Sequence, residues 1–190
     1  MKILLFVEGP SDKRTIPVII RKALSPRKPA IIVRKGARFD SEKMAPHIRF
    51  ELLQHHDISK ILILRDAECA DERVLQYIKR TAEKTENDLK ELFPQSSIYC
   101  LIVTYALEGW WLADPKAVAD HFKLSKTPNS SLSLSCRPKR ALIELSKKSG
   151  RKRRFDWVEE NPKIAERLNP QKAAKNNPSL AEFLKIIKDP

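Results

Sequence analysis

The chain has 190 residues, 42% of them hydrophobic, which suits one domain, or one domain with a small appendage, built around a real core. The net charge is +13, and no apolar run approaches the ~20 residues that span a bilayer, so a membrane-spanning helix and composition-driven disorder are both excluded. Cys69, Cys100 and Cys136 are odd in number and form no C-x-x-C, which argues against a zinc knuckle or a redox dithiol and predicts free thiols in a reducing cytoplasm.

Residues 2–7 (KILLFV) predict a buried strand, too short and wrongly flanked for a signal peptide. The run stops on Glu8, with Gly9 and Pro10 directly after it. Residues 12–24 predict a helix in which Thr15 is the cap, Pro17 lies in the first turn and residues 10–14 form an ordered loop. PAIIVRK (29–35) is a second strand, and residues 41–56 set Met44, Ile48, Leu52 and Leu53 at helical spacing. KILIL (60–64) is a third strand, leading to Asp66. Residues 71–93 form a long amphipathic helix, and SIYCLIVTY (97–105) a fourth strand. Short apolar strands alternating with helices predict an α/β fold, a mostly parallel sheet of about four strands covered on both faces. Farther on, LEGWWLADPKAVADHF gives two short helices broken at Asp114–Pro115, and SKTPNSSLSLS a polar loop. RPKRALIELSKK opens a helix at Pro138, GRKRRFDW is a basic turn, and residues 163–169 and 179–188 are closing helices. The expected division is an α/β core over 1–123 and a basic loop with a helical C-terminal extension over 124–190.

Charge is unevenly placed. Residues 124–155 hold ten Lys/Arg against one acid, Glu144, whereas residues 61–123 hold eight bases against eleven acids. A basic surface around an acidic centre suits a polyanion whose phosphates are bridged by metal ions, and nucleic acid is the expected ligand. Lys13 and Arg65 flank the acids and are candidate phosphate clamps; Arg137, Lys139, Arg140 and Arg151, Lys152, Arg153, Arg154 are candidates to track a nucleic-acid backbone. The same residues would equally suit an acidic protein partner.

Ligands of open parallel sheets bind beyond the carboxyl ends of the strands. Glu8 follows the first strand, Asp66 the third, and Glu68 lies two residues on, where an extended backbone would send both carboxylates to one side. Three hard-oxygen donors at one rim are what Mg²⁺ takes, with few protein contacts and several waters. Glu108 follows the fourth strand and reads either as a further acid of the site or as a helix cap beside a core plug of Trp110, Trp111 and Leu112. His47, His55, His56 and His121 lack paired metal spacing and read as surface or boundary residues. No P-loop and no G-x-G-x-x-G occurs, so any ATP dependence has to come from a partner.

VEGPSDK together with LILRDAE resembles the TOPRIM fold of topoisomerases, primases and OLD-type nucleases, which carry Glu-Gly after the first strand and Asp-x-Asp after the third. The chain is also similar to small TOPRIM-like proteins found beside ABC-type ATPases, notably in anti-phage defence. That likeness rests on an acid followed by aromatic-Leu-x-x-Asp-Pro, here Glu108, Trp110, Trp111, Leu112, Asp114 and Pro115, and on IAERLNPQKAAKNNPSLAEFL (164–184). The resemblance implies a metal-dependent nuclease acting on RNA or DNA, transfer RNA included, as an effector under an ABC-type ATPase. It also implies Glu8 as general base or acid, with Asp66 and Glu68 holding Mg²⁺ or Mn²⁺. Glu68 stands where the wider family has Asp, and Asp71 lies near enough in sequence to substitute. Two rival readings are a non-catalytic module that docks nucleic acid or a partner, and a phosphatase on the same sheet. Oligomeric state is left open, a homodimer among the options.

Overall fold

A computed structural model describes residues 2–27, 29–149 and 155–189. Four strands, β1 (Lys2–Val7), β2 (Ala30–Lys35), β3 (Ile58–Asp66) and β4 (Ser97–Val103), form one sheet in the order β2-β1-β3-β4. Every pairing is parallel, with Phe6 opposite Ile63 and Asp66 opposite Val103. The central strands carry unbroken apolar runs, Ile3–Val7 and Ile61–Leu64, because both faces are covered. Ile3, Leu5 and Val7 enter one core cluster, whereas Leu4 and Phe6 enter the other.

The connecting helices are α1 (Pro10–Ala23), α2 (Ser41–Gln54) and α3 (Glu72–Leu92). The start of α1 corrects the sequence reading. Gly9 is extended, Pro10 supplies the first helical residue without needing a donor, and the Asp12 carboxylate accepts a 2.8 Å hydrogen bond from the Gly9 N–H. Residues 10–14 are therefore helical, and Thr15 lies inside the helix, its hydroxyl donating to the Ser11 carbonyl. Pro17 sits mid-helix, where proline costs about 3 kcal/mol. Ile16, Ile19 and Ile20 are fully buried around it, each giving about 1.5–3 kcal/mol, so packing outweighs the break.

Past β4 come α4 (Glu108–Leu112), α5 (Pro115–Phe122), a 3-10 helix (Ser130–Leu134) where a loop was expected, and α6 (Pro138–Lys148). The chain closes with α7 (Trp157–Arg167), α8 (Pro170–Ala174) and α9 (Pro178–Lys188). The closing helices share a core with the sheet: Ile164, Leu180, Phe183 and Ile187 lie in one cluster with Ile3, Leu62 and Leu101. Trp110 and Trp111 are buried in it, as a core plug requires. The two late sequence patterns dock on one another. Asp114 accepts from the Asn169 N–H at 2.9 Å, and Asn176 donates to the Ala113 carbonyl at 2.9 Å. Asn169 and Asn177 cap α8 and α9, each with proline as the first helical residue. Gly109 is required here, since a Cβ would lie 2.7 Å from the Ser133 carbonyl oxygen. Lys60, buried in β3, donates to the carbonyls of Ile186 and Asp189 at the end of α9. Among the described residues no helix is long and apolar enough to cross a membrane.

Candidate active site at the carboxyl ends of the strands

Glu8 leaves β1, Asp66 ends β3, and Glu108 opens α4 just beyond β4. The parallel sheet thus brings acids from three distant stretches to one rim. Asp66 is the hub. Its Oδ1 accepts from the Leu107 N–H at 3.2 Å, and its Oδ2 lies 3.8 Å from Lys139 Nζ. Burial, then the negative charge of Glu108, push its carboxyl up to about 8, with Asp12 and Glu8 adding to the rise and Lys139 opposing it. Glu108 is 4% exposed and is also raised, by burial first, with Lys139 and Asn161 working against it. Its charge acts on Asp66, so it stands among these acids while opening the first turn of α4. Asp12, the first-turn acid of α1, is raised by burial against its bond to Gly9, with Glu8 adding to the rise. Sequence reasoning missed Asp12, although Glu8 and Asp12 stand four residues apart around the turn, a spacing that keeps both near one strand end.

Asn161, from α7, was also missed. Its Nδ2 donates to Glu108 Oε1 at 3.2 Å and to Ser11 Oγ at 2.9 Å, tying α7 to α4 and α1. No local sequence signal marks it. Glu108 Oε2 and Asn161 Oδ1 are buried acceptors with no hydrogen-bond partner, so each carries a desolvation cost of about 1–3 kcal/mol.

Lys139 is the cation of the rim. Burial works to lower its ammonium, and Glu108, Asp66 and Glu68 together outweigh that and raise it. Its Nζ lies 3.5 Å from Glu68 Oε1. Glu68 is not on extended backbone: its φ is +52°, its N–H donates to the Tyr105 carbonyl at 2.7 Å, and its side chain is 67% exposed. The expected alternation of Asp66 and Glu68 fails for that reason, and the two carboxylates share only Lys139. Asp71 caps α3, its Oδ1 accepting from the Val74 N–H at 2.9 Å.

The remaining basic candidates divide. Arg65 Nε donates to Glu8 Oε1 at 3.0 Å and its guanidinium rests over Phe39. Arg140 pairs with Glu144 along α6 at 3.0 Å. Lys13 and Arg137 are exposed. Arg151, Lys152, Arg153 and Arg154 lie outside the described residues. His121 is buried, its Nε2 2.6 Å from Glu160 Oε2, which corrects its reading as a boundary residue.

The expectation of three free thiols is overturned as well. Cys69 and Cys136 are disulfide-bonded, their Cα atoms 5.1 Å apart, within the normal reach of such a bridge. Cys100 remains free, its thiol pushed up to about 12 by burial and by the nearby Glu86.

Among the described residues no group of three His, Cys, Asp or Glu side chains is arranged to hold a metal ion. The donor chemistry still suits Mg²⁺, which takes one or two carboxylates and keeps several waters. Asp66 and Glu108 are two such carboxylates, close enough to repel, and Glu108 Oε2 is an unclaimed acceptor. A cleft of about 720 Å³ adjoins Glu68 on its other side, lined by Glu72, Glu83, Glu86, Glu182 and one lysine, Lys79. Its charge repels a phosphate backbone, so the groove for a polyanion is not there.

No curated protein matches the chain in sequence. In structure it is similar to the C-terminal region of the Burkholderia pseudomallei OLD protein, at 14% identity and a TM-score of 0.50, over 98% of this chain and 97% of that one. At that identity the likeness establishes the fold alone, a parallel α/β sheet flanked by helices. The family profile described as "Domain of unknown function (DUF4276)" matches residues 7–188, nearly the whole chain, and the protein belongs to that family.

Proposed function

We propose that the protein is a divalent-metal-dependent nuclease that hydrolyses phosphodiesters of RNA or DNA, working as an effector under a partner ATPase of the ABC type. One observation carries the reading: largely buried Asp66 and almost fully buried Glu108 stand at the carboxyl ends of parallel strands, both raised by burial and Asp66 further by the charge of Glu108, with an unpartnered oxygen on Glu108. Folding has assembled acids that destabilise one another, and a bound dication removes that cost.

When bound, Mg²⁺ or Mn²⁺ would polarise the scissile phosphate and supply an activated water. Asp66 and Glu108 are the residues to hold it, with Glu68 reachable from the solvent side. Glu8, exposed at the end of β1 and oriented by Arg65, accepts a proton from the attacking water. Lys139 carries positive charge to the rim, beside Asp66 and Glu68, where its ammonium would serve a phosphate oxygen. Exposed Lys13 and Arg137 extend the basic ground on which a backbone would lie. The ATPase partner rests on the resemblance of Glu108–Pro115 and residues 164–184 to ATPase-associated proteins and on the lack of a P-loop.

A second reading, a non-catalytic module that binds nucleic acid, is favoured by the lack of a ready three-ligand cluster among the described residues and by Lys139 lying where a cation would go. One assay separates the two. Purified protein, with and without its ATPase, is given RNA and DNA in Mg²⁺ or Mn²⁺, beside the double variant Glu8→Ala, Asp66→Ala. We expect weak cleavage alone, stimulation by the partner, and a loss of about 10³-fold or more in the variant. Cleavage that survives both substitutions refutes the site; salt-sensitive binding without cleavage, indifferent to the substitutions, establishes the binding module.

A further inference from the structure

The Cys69–Cys136 bond joins two segments 67 residues apart. Cys69 directly follows Glu68, and Cys136 stands three residues before Lys139, so the bond brackets the Lys139–Glu68 contact at 3.5 Å. Both cysteines are on exposed residues. The loop it anchors is held in a costly backbone conformation: Glu68 and Tyr105 both have left-handed φ values, +52° and +61°, and the Glu68 N–H is bonded to the Tyr105 carbonyl. On the other side, α6 packs chiefly on α4 and on the 3-10 helix; its first turn reaches the end of β3 and the following loop through the Lys139 ion pairs with Asp66 and Glu68, and no backbone–backbone hydrogen bond among the described residues ties the two. The disulfide is the covalent cross-link between the opening turn of α6 and the loop beside the acids of the rim.

We propose that Cys69 and Cys136 form a redox latch: closed, it clamps the Lys139 ammonium over Asp66 and Glu68, where it competes with a divalent cation; opened, it lets the first turn of α6 withdraw. The metal arm of this inference rests on the site reading above; the latch itself does not. Opening requires a dithiol. One of its thiolates attacks a sulfur of the bridge, a mixed disulfide forms as the other cysteine leaves as thiolate, and the second thiol of the dithiol displaces the protein sulfur. Two electrons and two protons pass to the protein, and the reductant becomes a disulfide. In a reducing compartment the latch stands open, and oxidation closes it over the site.

The test uses the full chain in oxidised form and after dithiothreitol, with Cys69→Ser as an always-open form and Cys100→Ser as a control that keeps the latch. Alkylation and intact mass read the pairing. Hydrogen exchange over residues 136–148 reads the release of α6, and Mn²⁺ binding followed by electron paramagnetic resonance reads access to the acids. We expect exchange and Mn²⁺ affinity both to rise about five- to tenfold on opening, the low end of coupling between linked sites, and Cys69→Ser to match the reduced protein without reductant. Thiols that stay free under mild oxidant, or exchange unchanged with the bond shown to be open, overturn the latch. Equal Mn²⁺ affinity in both states overturns its control of the site. Faster exchange with no Mn²⁺ binding in either state upholds the latch and removes the metal reading instead.

Discussion

Asn177 and Glu108 are both almost fully buried polar residues in the same core, and they live in opposite circumstances. Asn177 Oδ1 accepts from Ser179 Oγ at 2.9 Å and from the Leu180 N–H at 3.1 Å, and Ser179 Oγ in turn accepts from Trp110 Nε1 and the Thr104 N–H. Around Glu108 one oxygen has a single amide donor, the other has none, and the neighbouring Asp66 pushes against it. A saturated network fixes a helix in place; an unsaturated cluster of acids holds free energy available for a ligand. The distinction separates the late asparagine-proline pattern, which is architectural, from the acids of the rim.

Substitutions should divide along the same line. Asn177→Ala strips the cap of α9 and orphans the buried Leu180 N–H and Ser179 hydroxyl, and we expect it to cost about 3 kcal/mol in denaturant unfolding. A loss below about 1 kcal/mol would mean the network is not saturated as described.

Asp66→Asn should act in the other direction. The folded protein holds the Asp66 proton up to about 8, whereas the unfolded chain releases it near 3.9. Between those values the unfolded state binds fewer protons, so this group's contribution to stability is full at low pH and falls as pH rises. The amide keeps an acceptor for the Leu107 N–H and cannot ionise. Thermal unfolding should show the variant more stable by about 1–3 kcal/mol at pH 8, the gap closing toward pH 4. A variant less stable than the parent at pH 8 would place Asp66 with the saturated, architectural residues. Smaller still, Asp71→Ala should cost about 1 kcal/mol as a lost helix cap and leave Mn²⁺ affinity unchanged; a fall in affinity would return Asp71 to the ligand set.

The sheet was legible in the sequence because ILLFV (3–7) and ILIL (61–64) are unbroken apolar runs, a pattern that parallel strands covered on both faces require. That rule also set Glu8 and Asp66 at one rim, since a parallel sheet sends every strand end the same way. What could not be read depends on turns and on distant partners. Pro17 dominated the reading of α1 because a sequence does not show the three isoleucines that pack around it. Glu68 was misdirected because alternation presumes extended backbone, and a left-handed residue breaks it. Asn161 and the Cys69–Cys136 bond join elements far apart in the chain, and no local spacing announces them.

Lys60 links the sheet interior to carbonyls 126 and 129 residues later in the chain. Its ammonium gives up water for these two carbonyls and for the Tyr99 ring it lies over, so the depth at which β3 sits depends on α9 being in place. Loss of α9 would strand that ammonium without its oxygen acceptors, a cost borne by the strand that carries Asp66.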